Sequence, residues 1–237
     1  MIKTKSMFRL ALALGVLGAA GCATAGMPVP EALSAAPEWR VRMRNHWRPD
    51  SPLLVGPFEA HRIDHQGVRQ RGGVLDVLKG KKEYQQRYRF LVRDSAAGPD
   101  LWAVECDNRD VEQGVRLGSV ELSLDDRTSL ECSIQAPGDS ARAWSLRMRG
   151  SGDGVPTGSV RRGELGYDIV GEDASLQTDC CRPVGYMVRR EGRLLGALEN
   201  AHRGWVRVSP EVGPEEGSLL AAVFAALVLQ GQLIQKS

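Results

Sequence analysis

The chain has 237 residues, with 31 basic and 29 acidic side chains and a formal net charge of +2. Three of the basic residues, Lys3, Lys5 and Arg9, sit at the very start; without them 28 basic side chains face 29 acidic ones, a net charge near −1 with histidine neutral. Charge this balanced gives no reason to expect a nucleic-acid partner, and the length suits one generous domain or two small ones.

The first segment, MIKTKSMFRLALALGVLGAAGC, combines that basic start with an apolar run from Leu10 to Ala20. The run is too short to cross a membrane as a stable helix, and it has the form of a secretory signal core. It closes on small residues before a cysteine, Ala19-Ala20-Gly21-Cys22. This resembles the lipobox of bacterial lipoproteins, with Ala19 where leucine is commoner. The resemblance implies that residues 1–21 are removed as a signal peptide and that the Cys22 thiol takes a diacylglycerol. It also implies that the new amino terminus is acylated, as by palmitate. Each buried methylene is worth about 0.8 kcal/mol, so two or more chains hold a protein firmly on a bilayer. Ala23, standing where an aspartate would mark inner-membrane retention, implies the outer membrane, with the protein facing the periplasm.

Residues 22–38 are small and proline-rich without periodicity, and they read as a flexible tether. Regular structure begins near Trp39. In EWRVRMRNHW, Arg40, Arg42 and Arg44 alternate with Val41 and Met43, the period-two pattern of a strand with one wet face. Arginines pointing out of an edge strand guard against edge-to-edge pairing, and that is the expectation here. An alternative is that Trp39, Trp47 and the arginines touch anionic lipid heads beside the anchor.

HRIDH, His61 to His65, is close to the H-x-x-E-H zinc-peptidase pattern, with Asp64 in the glutamate position. That chemistry needs a helix, so that both imidazoles share a face and the carboxylate activates a metal-bound water. Pro57 before and Gly67 after favour a strand instead, on which His61 and His65 would still share a side. No metal or other cofactor is expected.

Alternation continues through YQQRYRFLVRD, LWAVEC, SLECSIQ, AWSLRMRG, LGYDIV, GYMVRR, RLLGALE and GWVRVS, separated by turn formers such as Pro137-Gly138-Asp139. Glu191-Gly192 suits a tight hairpin between Tyr186–Arg190 and Arg193–Glu199. Besides Cys22 there are four cysteines, Cys106, Cys132, Cys180 and Cys181. An even number in an exported chain points to disulfides, with three connectivities open. Cys106 with Cys132 is the favoured pair. The adjacent Cys180 and Cys181 could bridge to each other, reach different strands, or act in redox or soft-metal chemistry.

About ten to twelve short strands precede one helix, a pattern that fits an antiparallel sandwich or barrel. Pro214, Glu215 and Glu216 start the helix and Gly231 is a stop signal, giving 214–230. Between Ser218 and Leu229 it has no polar face, so it must be buried all round. Its seven large apolar side chains contribute about 10–20 kcal/mol gross. A single sheet face cannot cover it, whereas a sheet curled around it can.

Hairpin, strand, Pro-containing turn and apolar helix, in GYMVRREGRLLGALENAHRGWVRVSPEVGPEEGSLLAAVFAALVLQ, resemble the tubby C-terminal domain and its LURP-one and scramblase-like relatives. The resemblance covers about the last fifty residues, and implies an antiparallel β-barrel over 39–237 around a buried C-terminal helix. None of the phosphoinositide-binding residues of eukaryotic tubby domains maps onto this chain. No nucleophile elbow, P-loop or dinucleotide fingerprint appears. The functional expectation is a lipid-anchored, non-catalytic envelope module whose partner is membrane lipid, an envelope protein or the cell wall. The competing expectation is an enzyme, with metal at His61/His65 or thiol chemistry at Cys180/Cys181.

Overall fold

The computed structural model describes residues 26–45, 50–71, 81–94, 98–117, 120–151, 155–172, 183–200 and 204–234. Cys22 with the signal segment 1–21, the pair Cys180 and Cys181, and also His46, Trp47 and His202 lie outside the described residues. The described strands are β1 (Glu38–Met43), β2 (Leu53–Val55), β3 (Phe58–His65), β4 (Arg69–Arg71), β5 (Lys81–Asp94), β6 (Asp100–Leu117) and β7 (Val120–Ala136). They continue with β8 (Asp139–Ser151), β9 (Thr157–Arg162), β10 (Leu165–Glu172), β11 (Gly185–Arg190), β12 (Arg193–Glu199) and β13 (Trp205–Val208), and the chain then enters helix α1 (Pro214–Ile234).

Alternating polarity makes these strands, and it also decides which face turns inward. On β5, Tyr88, Phe90 and Val92 are buried while Arg87 and Arg89 are exposed; on β8, Trp144, Leu146 and Met148 are buried and Arg147 and Arg149 exposed. The strands run β3-β2-β1-β13-β12-β11-β10-β9-β8-β7-β6-β5, all antiparallel, and β3 pairs back onto β5. This closes a twelve-stranded barrel, with β4 continuing along β5 beyond the end of β3. Closure removes the open edges that a sheet of this size would otherwise present. Strand β1 is therefore no edge: it pairs with β13 through Glu38–Arg40 and with β2 through Val41–Met43. The expectation of an edge-guarding arginine row is thereby overturned, although the row itself faces outward as read.

The ring wraps α1. Every residue from Leu219 to Leu229 is at most 2% exposed. They share one core with the inward residues of β2, β3, β5 to β13. Gly196 on β12 lets Phe224 approach, since a Cβ there would stand 3.1 Å from its ring. Polar ties fix the helix at three levels. Trp102 Nε1 donates to Ser218 Oγ at 2.9 Å, Tyr88 Oη to the Ala226 carbonyl at 2.8 Å, and Gln230 Nε2 to Asn108 Oδ1 at 3.0 Å. The helix continues through Gly231 to Ile234 where a stop at 230 was expected. Glycine disfavours a helix interior by only about 1 kcal/mol, too little to end one held by its neighbours.

The predicted hairpin at Glu191-Gly192 forms, with φ of 52° and 80° and Arg190 opposite Arg193. Two positive φ values in a two-residue loop match the twist of the flanking strands. Residues 26–37 depart from the expected tether. Met27, Leu33 and Ala36 are buried against Val184, Ala197 and Trp205 on the outer face of β11 to β13, and Glu31–Leu33 form a 3-10 turn. Arg207 on β13 donates through Nη1 to the carbonyls of Leu33, Ser34 and Ala36. Composition showed small residues and prolines there but not the guanidinium that gathers their carbonyls.

Candidate functional site

The mouth of the barrel at the start of α1 holds a cavity of about 330 Å³. Trp102, Trp144, Tyr167 and Leu165 supply its apolar walls, Arg162 and Arg190 its cations, and Glu215 and Glu216 its carboxylates. Each side chain arrives by strand alternation: Trp102 and Trp144 start the inward rows of β6 and β8, and Tyr167 that of β10. Glu216, in the first turn of α1, accepts from Arg190 Nη1 at 2.7 Å, which reaches over from the end of β11. Burial and the hydrogen bond to the Glu216 carboxylate push the Tyr167 phenol up to about 12. The Trp144 and Tyr167 rings lie 5.6 Å apart, and the Arg162 guanidinium sits 4.4 Å above Trp144, within cation–π range. Trp144 Nε1 is buried with no hydrogen-bond partner. Together these groups lock the helix to the rim, since the Trp102–Ser218 and Arg190–Glu216 bonds tie α1 to β6 and to β11.

A second, larger depression of about 630 Å³ lies on the outer face of β5 to β8, with Asp64 of β3 at its side. Small Ser133 and Ser145 line it together with Arg87, Arg89, Glu105, Asp107, Glu131 and Arg147. Opposite charges alternate across the strands: Arg89 pairs with Asp64 at 2.8 Å and Arg87 with Asp107 at 3.1 Å. Burial alone would raise Asp107, but hydrogen bonds from Gln85, Arg109 and Arg87 prevail and hold it below the ordinary carboxylate range. Such a face is balanced and well solvated.

The histidine pair is separated by a bulge. His61 stands opposite Leu91, but Asp64 stands opposite Arg89, so β3 contains one extra residue, and Arg62 takes a φ of 51°. The extra residue reverses the strand's phase. His65 pairs with inward-facing Tyr88, whereas His61 lies on the outer side and its Nε2 is 2.7 Å from Asp100 Oδ1. The expectation that both imidazoles share a side is thus corrected. Among the described residues no group of three or more His, Cys, Asp or Glu side chains is placed to hold a metal ion.

Cys106 and Cys132 are register partners on β6 and β7, with Cα atoms 4.1 Å apart, and they form a disulfide in the barrel core. Nothing in the spacing of the sequence marked the mouth. Trp144 and Tyr167 read only as core positions, and Glu216 as a helix-dipole partner; Arg190 read as one end of a hairpin. The proximity of Arg190 and Glu216 follows from the path of α1 back through the ring. No protein-family model, curated protein or solved structure matches the chain.

Proposed function

We propose that the protein is a lipid-anchored, non-catalytic module of the bacterial cell envelope, held on the outer membrane through Cys22 and facing the periplasm. The observation that carries this reading is the filled lumen. Residues 219–229 of α1 occupy the barrel interior, so the outside of the ring and the mouth are the surfaces left to meet a partner. A barrel that encloses its own helix is a support and a recognition surface, unlike one that holds a ligand chamber. The Cys106–Cys132 bridge supports an oxidising compartment. The closed antiparallel ring around a C-terminal helix is also the architecture that the tubby-like resemblance implies, and it supports that kinship.

The enzymatic alternative through His61 and His65 loses its geometric basis at the bulge, because the two imidazoles flank the sheet from opposite sides. The test is the mature amino terminus. Mass spectrometry of membrane-extracted protein should find it at Cys22 carrying a diacylglycerol, and Cys22→Ser should move the chain out of the membrane fraction. An unmodified Cys22, or a Cys22→Ser chain that stays with the membrane, would overturn the reading.

A further inference from the structure

We propose that the outer face of β1, through Arg40, Arg42 and Arg44, is a docking surface for an anionic phospholipid bilayer. The inference rests on the lipid-anchored reading, and it adds which side of the barrel lies on the membrane. All three arginines are exposed, and among the described residues none has a side-chain partner. Arg40 and Arg42 stand at period two on β1, so they project from one face, and Arg44 follows at the same spacing just past the end of the strand, where its amide donates to the Pro52 carbonyl at 2.8 Å.

Among the described residues, the surroundings leave this charge uncompensated. Glu38, on the same strand, is taken by Arg207 at 3.2 Å, and Glu59, two strands away, by Arg93 at 3.0 Å. The direct neighbours of Arg40 and Arg42 are apolar, Trp205 and Leu54. Asp50, in the connection to β2, is exposed and makes no ion pair with them. The arginine row of β8 differs. Glu131 lies directly opposite Arg147, and the depression beside it carries Asp107 and Glu105 as well. Because β1 is paired on both sides, its arginines serve no edge-guarding purpose.

The anchor brings this face within reach. Met27 is fixed on the outer surface, with its Sδ against Gly185 at the start of β11. Cys22 is five residues upstream, so its Cα lies within about 18 Å of the Met27 Cα even with the chain fully extended. Three strand spacings separate β11 from β1, about 14 Å around the ring. They separate β11 from β8 equally, so the tether permits either flank and charge selects β1. Cationic side chains at an anionic surface strengthen attachment and screen with salt.

The protein as purified, with its acyl chains, is placed on vesicles of phosphatidylglycerol and phosphatidylethanolamine or on vesicles of phosphatidylcholine. Arginine modification by phenylglyoxal is then followed residue by residue by mass spectrometry. Arg40, Arg42 and Arg44 should react about fivefold more slowly on the anionic vesicles, with Arg147 and Arg149 unchanged. In the Cys22→Ser chain, Arg40→Gln/Arg42→Gln/Arg44→Gln should weaken partition onto the anionic vesicles on the order of 100-fold, and Arg142→Gln/Arg147→Gln/Arg149→Gln far less. Equal protection of β1 and β8, equal loss from both triple variants, or no partition at all would overturn the proposal. Failure of the purified protein to stay on phosphatidylcholine would instead count against the anchor, leaving the footprint on anionic vesicles to judge β1.

Discussion

Tyr167 and Asp107 shape the two ends of the protein's pH range. In the folded chain the Tyr167 phenol is pushed up to about 12, first by burial and then by the Glu216 carboxylate it faces. An unfolded tyrosine ionises near 10, so the stabilisation is complete below about pH 10 and drains away as pH climbs through about 12. Tyr167→Phe should therefore flatten the alkaline side of the stability curve, read as urea midpoints across that range. Burial raises Tyr186 to about 12 as well, so a remnant slope is expected. Asp107 works in the opposite direction: its folded value is depressed, so its contribution is present above the unfolded value of about 3.9 and disappears as pH falls through the folded one. Asp107→Asn should lose midpoint at neutral pH but show a shallower acid slope than the parent. The disulfide is the remaining residue-scale device. Its cysteines are separated by 26 positions, and closing such a loop in the unfolded chain is worth about 3.5 kcal/mol. Cys106→Ser/Cys132→Ser should lower unfolding stability by about 2–4 kcal/mol, and reductant should then have no further effect from this bridge.

Helix α1 concentrates the energetics of the elements. Phe224 is fully buried and faces Gly196, so Phe224→Ala leaves a void that the surrounding strands cannot collapse into, at a cost of about 3–5 kcal/mol in denaturant titration. The helix was legible in sequence because a segment without a wet face has few places to go. Strand alternation and the Glu191-Gly192 turn were legible for the same kind of reason, since each is a local pattern with a local physical cause. What escaped depends on partners distant in the chain. The β3 bulge exists because Asp64 registers with Arg89 rather than continuing the phase set at His61. The 26–37 segment packs because Arg207, far along the chain, collects the carbonyls of Leu33, Ser34 and Ala36. The mouth lock needs β11 and the first turn of α1 side by side, a product of topology alone.

The whole molecule couples these parts through one order of assembly. The ring closes between β3 and β5, and the element that fills it comes last in the chain, so most core contacts are distant in sequence. Contacts of that kind form slowly, and until α1 docks the inward rows of the strands have nothing to cover them. The barrel without its helix would hold a lumen lined by Phe90, Ile134, Leu146, Ile169 and Leu198, each fully buried in the intact protein. Water in such a space is unfavourable, and an empty space of that size forfeits the packing of every wall. Collapse of the ring is blocked in turn by the hydrogen-bonded register of twelve antiparallel strands. A chain ending at Gly213 should therefore retain strand-like circular dichroism at most, bind a hydrophobic dye, and melt without a cooperative transition, whereas the full chain should melt in one step. Sharp two-state melting of the shortened chain with no dye binding would mean that the strands support themselves and that α1 is an addition to the fold and not its centre.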